Sequence, residues 1–388
     1  MRVKLITLAI VTGAALTLIL MIGLAGADGP KVSETNLNPS GTVYEINPDA
    51  QGNLWVTDNG ADEIRQVNPA TGVYTIYHNM DHANDARMDA AGNVWWTDYQ
   101  NARLGRIAVS ASTLTTWSFA EGTSPVGIAF DDAGHVWVSD DSSHQVYRVD
   151  PATDQICAYL YPGAGDSDYL TWYAGSIWLT DGDSARLVKL NPSSNVFTIW
   201  QMAASAHPEG LTVDEDRNFW LSDQGTPAGL AHFEPAIDRL TFYTLPVNTT
   251  PEVVSINKGN VWYAGNTERV GTGSLLLYPT VGVLSPTAAS GITFTLPVTT
   301  TLVTPACSTS VRADSSVTTS IGNITWTSNV YTRSTPSAGW TVYQLPAGAS
   351  PWGIVARGGR VWFTDQGRQV LAQMNFEFQV YMPIIMRQ

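Results

Sequence analysis

The sequence predicts an all-β chain folded as a seven-bladed β-propeller with four-stranded antiparallel blades. Three observations carry that prediction. The first is a recurring phrase of the form Gly-x-apolar-Trp-apolar-Thr/Ser-Asp, as in Gly52-Asn-Leu-Trp-Val-Thr-Asp58, Gly92-Asn-Val-Trp-Trp-Thr-Asp98 and Gly134-His-Val-Trp-Val-Ser-Asp140. Its tryptophans are Trp55, Trp95, Trp137, Trp178, Trp220, Trp262 and Trp362, at spacings of 40, 42, 41, 42, 42 and 100 residues. The second is composition: 33 Gly, 21 Pro, 14 Trp, 15 Tyr and 10 Phe in 388 residues suit strands and turns and do not suit helices. The third is that each period divides into four short runs bounded by turn residues. Four-strand units repeating every 40–45 residues or so mark a propeller, in which each sheet buries its faces against two neighbours.

The elements follow in order. Arg2 and Lys4 precede an apolar run from Leu5 to Leu24, and Ala25-Gly26-Ala27 then offers a small-x-small cleavage site. This reads as an export signal removed after Ala27, with an uncleaved membrane anchor as the competing reading. Val32–Leu37 lies where every later repeat has its predecessor's outermost strand, so it is expected to complete the last blade and close the ring, which also protects strand edges. In the third repeat, strands are expected at Val126–Phe130, His135–Ser139, Gln145–Val149 and Gln155–Tyr161. The stop at Asp150-Pro151 recurs at Asn68-Pro69 and Asn191-Pro192. The register tryptophans read as wedges between blades. The Asp that ends each phrase reads as an acceptor of turn N–H groups.

The long last interval holds an insertion from about Val281 to Gly339, between the third and fourth strands of blade six. It is rich in Ser and Thr, with alternating Val and Ile, which points to extra hairpins. It carries Cys307, while Cys157 belongs to blade three. An exported chain permits a disulfide, but half a ring between the two weighs against this pair. The C-terminal Val380–Gln388 reads either as a sorting tail or as an outer strand.

A net charge of −14 and only 14% charged residues argue against nucleic acid as a partner. Two cysteines exclude a disulfide scaffold and a Cys-based zinc site. No Gly-x-Ser-x-Gly elbow, phosphate loop or His-Glu-x-x-His occurs.

Two repeats carry a family resemblance: Ser124-Pro-Val-Gly-Ile128 with Val136-Trp-Val-Ser-Asp140, and Ser350-Pro-Trp-Gly-Ile354 with Val361-Trp-Phe-Thr-Asp365. They resemble the virginiamycin B lyase (streptogramin lyase) family, a seven-bladed propeller. The Asp closing each phrase is closer to NHL-repeat and gluconolactonase-type propellers. The resemblance implies a metal-assisted elimination that opens a cyclic depsipeptide at its ester, with a base removing the proton beside a carbonyl. Residue by residue the family's apparatus is mostly missing. Its first-blade tyrosine is matched by Tyr44. Its sixth-blade histidine is Glu252 here. Its last-blade Glu-Pro-His reads Ser350-Pro351-Trp352, and its second metal-binding glutamate falls at Asp365 or Gln366. The expectation is therefore against antibiotic lyase activity by that route.

Propeller ligands bind where the inner strands converge on the axis. The position ten or eleven residues before each register tryptophan holds Tyr44, Asn84 (or Asp85), Val126, Asp168, Glu209, Glu252 and Trp352. Asp168, Glu209 and Glu252 stand on successive blades, and three such carboxylates would repel one another unless a cation sits among them. An all-oxygen set suits Ca²⁺ or Mg²⁺; the plain alternative is solvated mouth residues in an acidic chain. His207, in Ala206-His-Pro-Glu209, is the candidate base. Tyr44, Asn84 and Trp352 are the candidate ligand contacts. The reading is thus a secreted or cell-surface monomer that binds an extracellular small molecule, carbohydrate or peptide at the mouth. The alternatives are a metal-dependent lyase or lactonase-type hydrolase of a cyclic ester, with Tyr44 and His207 catalytic, or a surface scaffold working through the insertion.

Overall fold

The computed structural model describes residues 31–37, 41–162, 167–246, 249–266 and 280–375, with the side chains of Lys31, Asp168, Asn266, Val330 and Thr332 left out. The expected signal segment and the C-terminal tail lie outside these residues. The chain forms seven antiparallel sheets, each with five strands and not the four expected. In blade one these are Val43–Pro48, Leu54–Asp58, Glu63–Val67, Val73–His78 and, from the insertion, Thr318–Asn323. Blades two to six repeat the first four at Ala83–Ser118, Pro125–Leu160, Ser167–Gln201, Pro208–Thr244 and Thr250–Leu284. Blade six is completed by Trp340–Gln344.

The recurring phrase builds each blade from the same parts. Glycines 52, 92, 134, 175 and 259 turn the inner hairpin at φ between +72° and +87°, the left-handed region that costs glycine least. The tryptophan that follows is buried between blades, where Trp55, for instance, packs with Ile64, Tyr77, Ala86 and Trp96. In blades one, two, three and five an aspartate six residues earlier caps the indole: Trp55 Nε1 donates to Asp49 at 3.1 Å, Trp95 to Asp89 at 2.8 Å, Trp137 to Asp131 at 2.9 Å and Trp220 to Asp214 at 3.2 Å. The closing aspartates accept N–H groups, as expected. Asp140 takes the Ser124 amide at 2.9 Å, Asp223 that of His207 at 2.8 Å and Asp365 that of Ser350 at 2.8 Å.

The Thr or Ser before that aspartate ties neighbouring blades together, because a hydroxyl both donates and accepts. Thr57 Oγ1 accepts the Glu45 N–H at 3.0 Å and donates to the Asn84 carbonyl of the next blade at 2.9 Å. Ser222 repeats this between Gly210 and Glu252, and Thr364 between Gly353 and Tyr44. The last bridge joins blade seven back to blade one. Blade seven comprises Pro351–Arg357, Arg360–Asp365, Val370–Asn375 and the N-terminal Lys31–Asn36, which pairs antiparallel with Val370–Asn375.

The insertion corrects two expectations. Its strands do not pair with one another, and the one hairpin among the described residues of the segment joins its last strand, Thr332–Ser334, to Trp340–Gln344. Its seven strands travel once around the rim, one on the outer edge of each blade: Ile292–Thr295 on blade five, Val298–Leu302 on four, Ala306–Thr309 on three, Arg312–Ser316 on two, Thr318–Asn323 on one, Thr327–Val330 on seven and Thr332–Ser334 on six. Sheet twist explains how. At roughly 20–25° per neighbouring strand, the fifth strand is turned by roughly 80–100° from the innermost one and runs along the rim. This path carries Cys307 to blade three, where it stands opposite Cys157 and forms a disulfide with it. The half-ring separation in sequence is no obstacle once the segment itself crosses half the ring.

Candidate functional site at the channel mouth

Every inner strand shifts register at one place, between Val43 and Ile46, Ala83 and Ala86, Pro125 and Ile128, Ser167 and Leu170, Pro208 and Leu211, Pro251 and Val254, and Pro351 and Ile354. A bulge re-aims side chains, and here each blade has two consecutive residues within the shift. The first of each pair is the set read from the spacing: Tyr44, Asn84, Val126, Asp168, Glu209, Glu252 and Trp352. Of the second, the spacing offers Asp85 as the alternative to Asn84; Glu45, Gly127, Tyr169, Gly210, Val253 and Gly353 were missed. The Ser/Thr hydroxyl that receives the N–H of this second residue is the signal that could have found it.

The second set forms a network across the channel. Tyr169 of blade four donates to Glu45 Oε1 of blade one at 2.5 Å, and Trp352 Nε1 of blade seven donates to the same oxygen at 3.1 Å. Asp85 receives Asn47 at 2.8 Å, Arg87 at 2.8 Å and the Ile128 amide at 3.0 Å. Glu45 is 5% exposed. Burial, reinforced by the charge of Asp85, pushes its carboxyl up to about 7. Burial and the Glu45 charge raise the Tyr169 phenol well above its ordinary value.

The first set lies at the mouth. Tyr44 and Trp352 pack ring against ring, with centroids 4.7 Å apart. Asn84 is buried. His207 Nε2 lies 3.0 Å from Glu209 Oε1, and its Nδ1 lies 3.8 Å from Asp183. Glu252 accepts the Gln224 amide at 2.6 Å. Tyr99 donates to Asp141 at 2.7 Å; burial raises the Asp141 carboxyl, with Glu209 among the charges adding to the shift. Between blades two and three, on the same face, a hollow of about 710 Å³ is lined by Tyr99, Asn101, Phe119, Glu121, Thr123 and Ser142, among others.

Three carboxylates were expected to hold a cation. Glu209 is turned to His207 and Glu252 to Gln224, and the Asp168 side chain lies outside the description. Among the described residues, no three His, Cys, Asp or Glu side chains are grouped to hold a metal ion.

Comparison with known proteins fits this geometry. The model of the virginiamycin B lyase family matches residues 30–275. The chain belongs to the virginiamycin B lyase family. Solved structures agree on the fold. A catalytically inactive histidine-to-alanine variant of virginiamycin B lyase from Staphylococcus aureus, bound to quinupristin, is 17% identical, with a TM-score of 0.65 over 89% of this chain and 99% of that one. A streptogramin B lyase structure is 16% identical, with a TM-score of 0.66 over 90% and 98%. YCF48 from Cyanidioschyzon merolae is 9% identical, with a TM-score of 0.57 over 89% and 98%. Nothing among the curated proteins matches the chain.

Within this virginiamycin B lyase-like propeller, the positions that correspond to the family's apparatus serve other contacts. Trp352 packs on Tyr44 and bonds to Glu45. Ser350 donates its amide to Asp365. Asp365 itself is fully buried and held by Arg368 Nε at 2.7 Å, which makes it a structural acid.

Proposed function

We propose that this chain is an exported member of its family that binds an extracellular ligand at the channel mouth and does not open streptogramins by metal-assisted elimination. The observation that carries this reading is Trp352. It stands where the family resemblance calls for a base, has no proton-accepting atom, and covers Tyr44. The mouth and the adjoining hollow supply aromatic faces, amides, hydroxyls and carboxylates, a mixture that suits a carbohydrate or a peptide. The Cys157–Cys307 disulfide and the signal-like first 27 residues support an oxidising compartment outside the cytoplasm.

Quinupristin is the direct probe. Incubated with the full mature chain and Mg²⁺, it is expected to stay cyclic by mass spectrometry; a ring-opened product would overturn the reading. In a glycan and peptide array, the intact chain is expected to retain a subset of probes that Trp352→Ala loses. A second reading, a hydrolase or lyase of a cyclic ester, rests on the His207–Glu209 contact, which could orient the imidazole as a base. Turnover of a lactone panel that disappears in Glu209→Gln would favour it.

A further inference from the structure

We propose that residues 285–339 are a locking belt that holds the propeller ring shut, riveted to blade three by the disulfide just before the one groove that, among the described residues, it does not plug. The belt carries its own period. Leu296, Val303, Ser310, Val317, Ile324 and Tyr331 follow one another at intervals of seven. Five of these residues donate their backbone N–H to the outer turn of successive blades: Leu296 to Asp238 at 2.9 Å, Val303 to Asn195 at 2.9 Å, Ser310 to Asp154 at 2.8 Å, Val317 to Ser112 at 3.1 Å and Ile324 to Gly72 at 2.6 Å. The receiving residues share a positive φ, between 52° and 73°. One heptad therefore serves one blade. At ~3.3 Å per extended residue, the stretch from 292 to 334 spans roughly 140 Å, the circumference of a disc about 45 Å across.

The period has a packing meaning. Leu296 enters the core between blades five and four, Val303 that between four and three, Val317 that between two and one, Ile324 that between one and seven, and Tyr331 that between seven and six. Ala289, seven residues before Leu296, packs against the core between blades five and six. The exception is Ser310. The core between blades three and two receives no apolar side chain from the belt, and the neighbouring Val311 is 77% exposed. The disulfide lies in the heptad that precedes Ser310, with Cys157 buried in the core between blades four and three. Its cysteines occupy the cross-strand position held by Thr241 and Thr293 on blade five, Thr198 and Thr300 on blade four and Ser33 and Ser328 on blade seven. The covalent bond thus fixes the belt on the blade-four face of blade three, three residues before the missing plug at Ser310.

The belt also grips the strand that closes the ring. Lys31–Asn36 is sandwiched between Val370–Asn375 and the belt strand Thr327–Val330. Glu34 of that strand is buried and accepts Asn329 Nδ2 at 2.5 Å, the Tyr331 hydroxyl and Arg368 Nη2 at 2.8 Å. Two of those three partners belong to the belt. An N-terminal strand without it would be an open edge carrying a half-partnered carboxylate.

Hydrogen exchange on the intact chain tests both halves. Reducing the disulfide with dithiothreitol, or replacing both cysteines in Cys157→Ser/Cys307→Ser, is expected to speed amide exchange in residues 304–316 at least tenfold while blades four and five keep their rates. Ser310→Val in the cysteine-free background is expected to restore most of the protection. Equal exchange in the oxidised and reduced chains overturns the rivet. In the oxidised chain, Tyr331→Ser is expected to speed exchange of Val32–Thr35 at least tenfold; unchanged rates there overturn the clamp.

Discussion

Glu45 shows how a single side chain registers the pH of the whole molecule. Its carboxyl has an ordinary value of 4.5 and is raised to about 7 by burial and by Asp85. Between those values the folded chain holds a proton that the unfolded chain has released. Its contribution is therefore fully present below about 4.5 and is lost as pH rises through 7. That displacement amounts to about 3 kcal/mol. Glu45→Gln keeps an acceptor for Tyr169 and Trp352 and cannot ionise. The variant is expected to melt with wild type at pH 5 and above it at pH 8; parallel melting curves across that range would refute the assignment. A neighbouring prediction concerns Thr57. Thr57→Val preserves shape but leaves the Glu45 N–H and the Asn84 carbonyl without their partner, two buried groups at about 1–3 kcal/mol each. Urea unfolding should show a loss of at least about 2 kcal/mol, and a loss below ~0.5 kcal/mol would mean that the two groups find other partners.

At the scale of the strand, the recurring phrase was legible because its period follows from packing: one wedge, one hydroxyl and one acid per blade, save in blade six, where Ala264 and Gly265 take the last two places. The two axial positions were only half legible. Spacing from the register tryptophan locates the first bulge residue, but a bulge leaves no mark in hydrophobic alternation, so Glu45 and Tyr169 read as ordinary inner-strand residues and Asp85 only as an alternative to Asn84. Departures from the phrase are compensated across the strand. Trp96 adds a second indole after the register Trp95, and its cross-strand partner is Gly105. A Cβ on Gly105 would lie 2.0 Å from the Trp96 ring. Tyr263 and Gly282 repeat the pairing, with 2.3 Å between such a Cβ and the Tyr263 ring. Gly105→Ala should therefore cost about 1–3 kcal/mol as overpacking. In the Trp96→Val background the same substitution should be neutral or stabilising. A double-mutant cycle with no coupling between the two sites would show that the glycine answers to something other than the indole.

At the scale of the molecule, the belt was the least legible feature, although its heptads stand in the sequence. A period of seven in a Ser/Thr-rich segment has no meaning for an isolated sheet. It acquires one only when seven blades of equal width are already arranged around an axis, so that a single extended chain meets the same groove at every step. For the same reason Cys157 and Cys307 looked too far apart, although the segment between blade six and blade three carries one to the other. The cross-link joins residues 150 apart in sequence, and a loop of that length lowers the entropy of the unfolded chain by the equivalent of about 5 kcal/mol. The full figure would appear only if the reduced chain unfolds as completely as an uncrosslinked one and the belt stays seated until then. Since the belt at blade three is held by the bond and lacks a plug there, reduction should also loosen the folded state, adding to the loss. The expected outcome is a drop in guanidinium midpoint on reduction together with a shallower transition, because the belt then leaves before the blades. A drop with unchanged slope would mean that belt and ring unfold as one body with or without the bond.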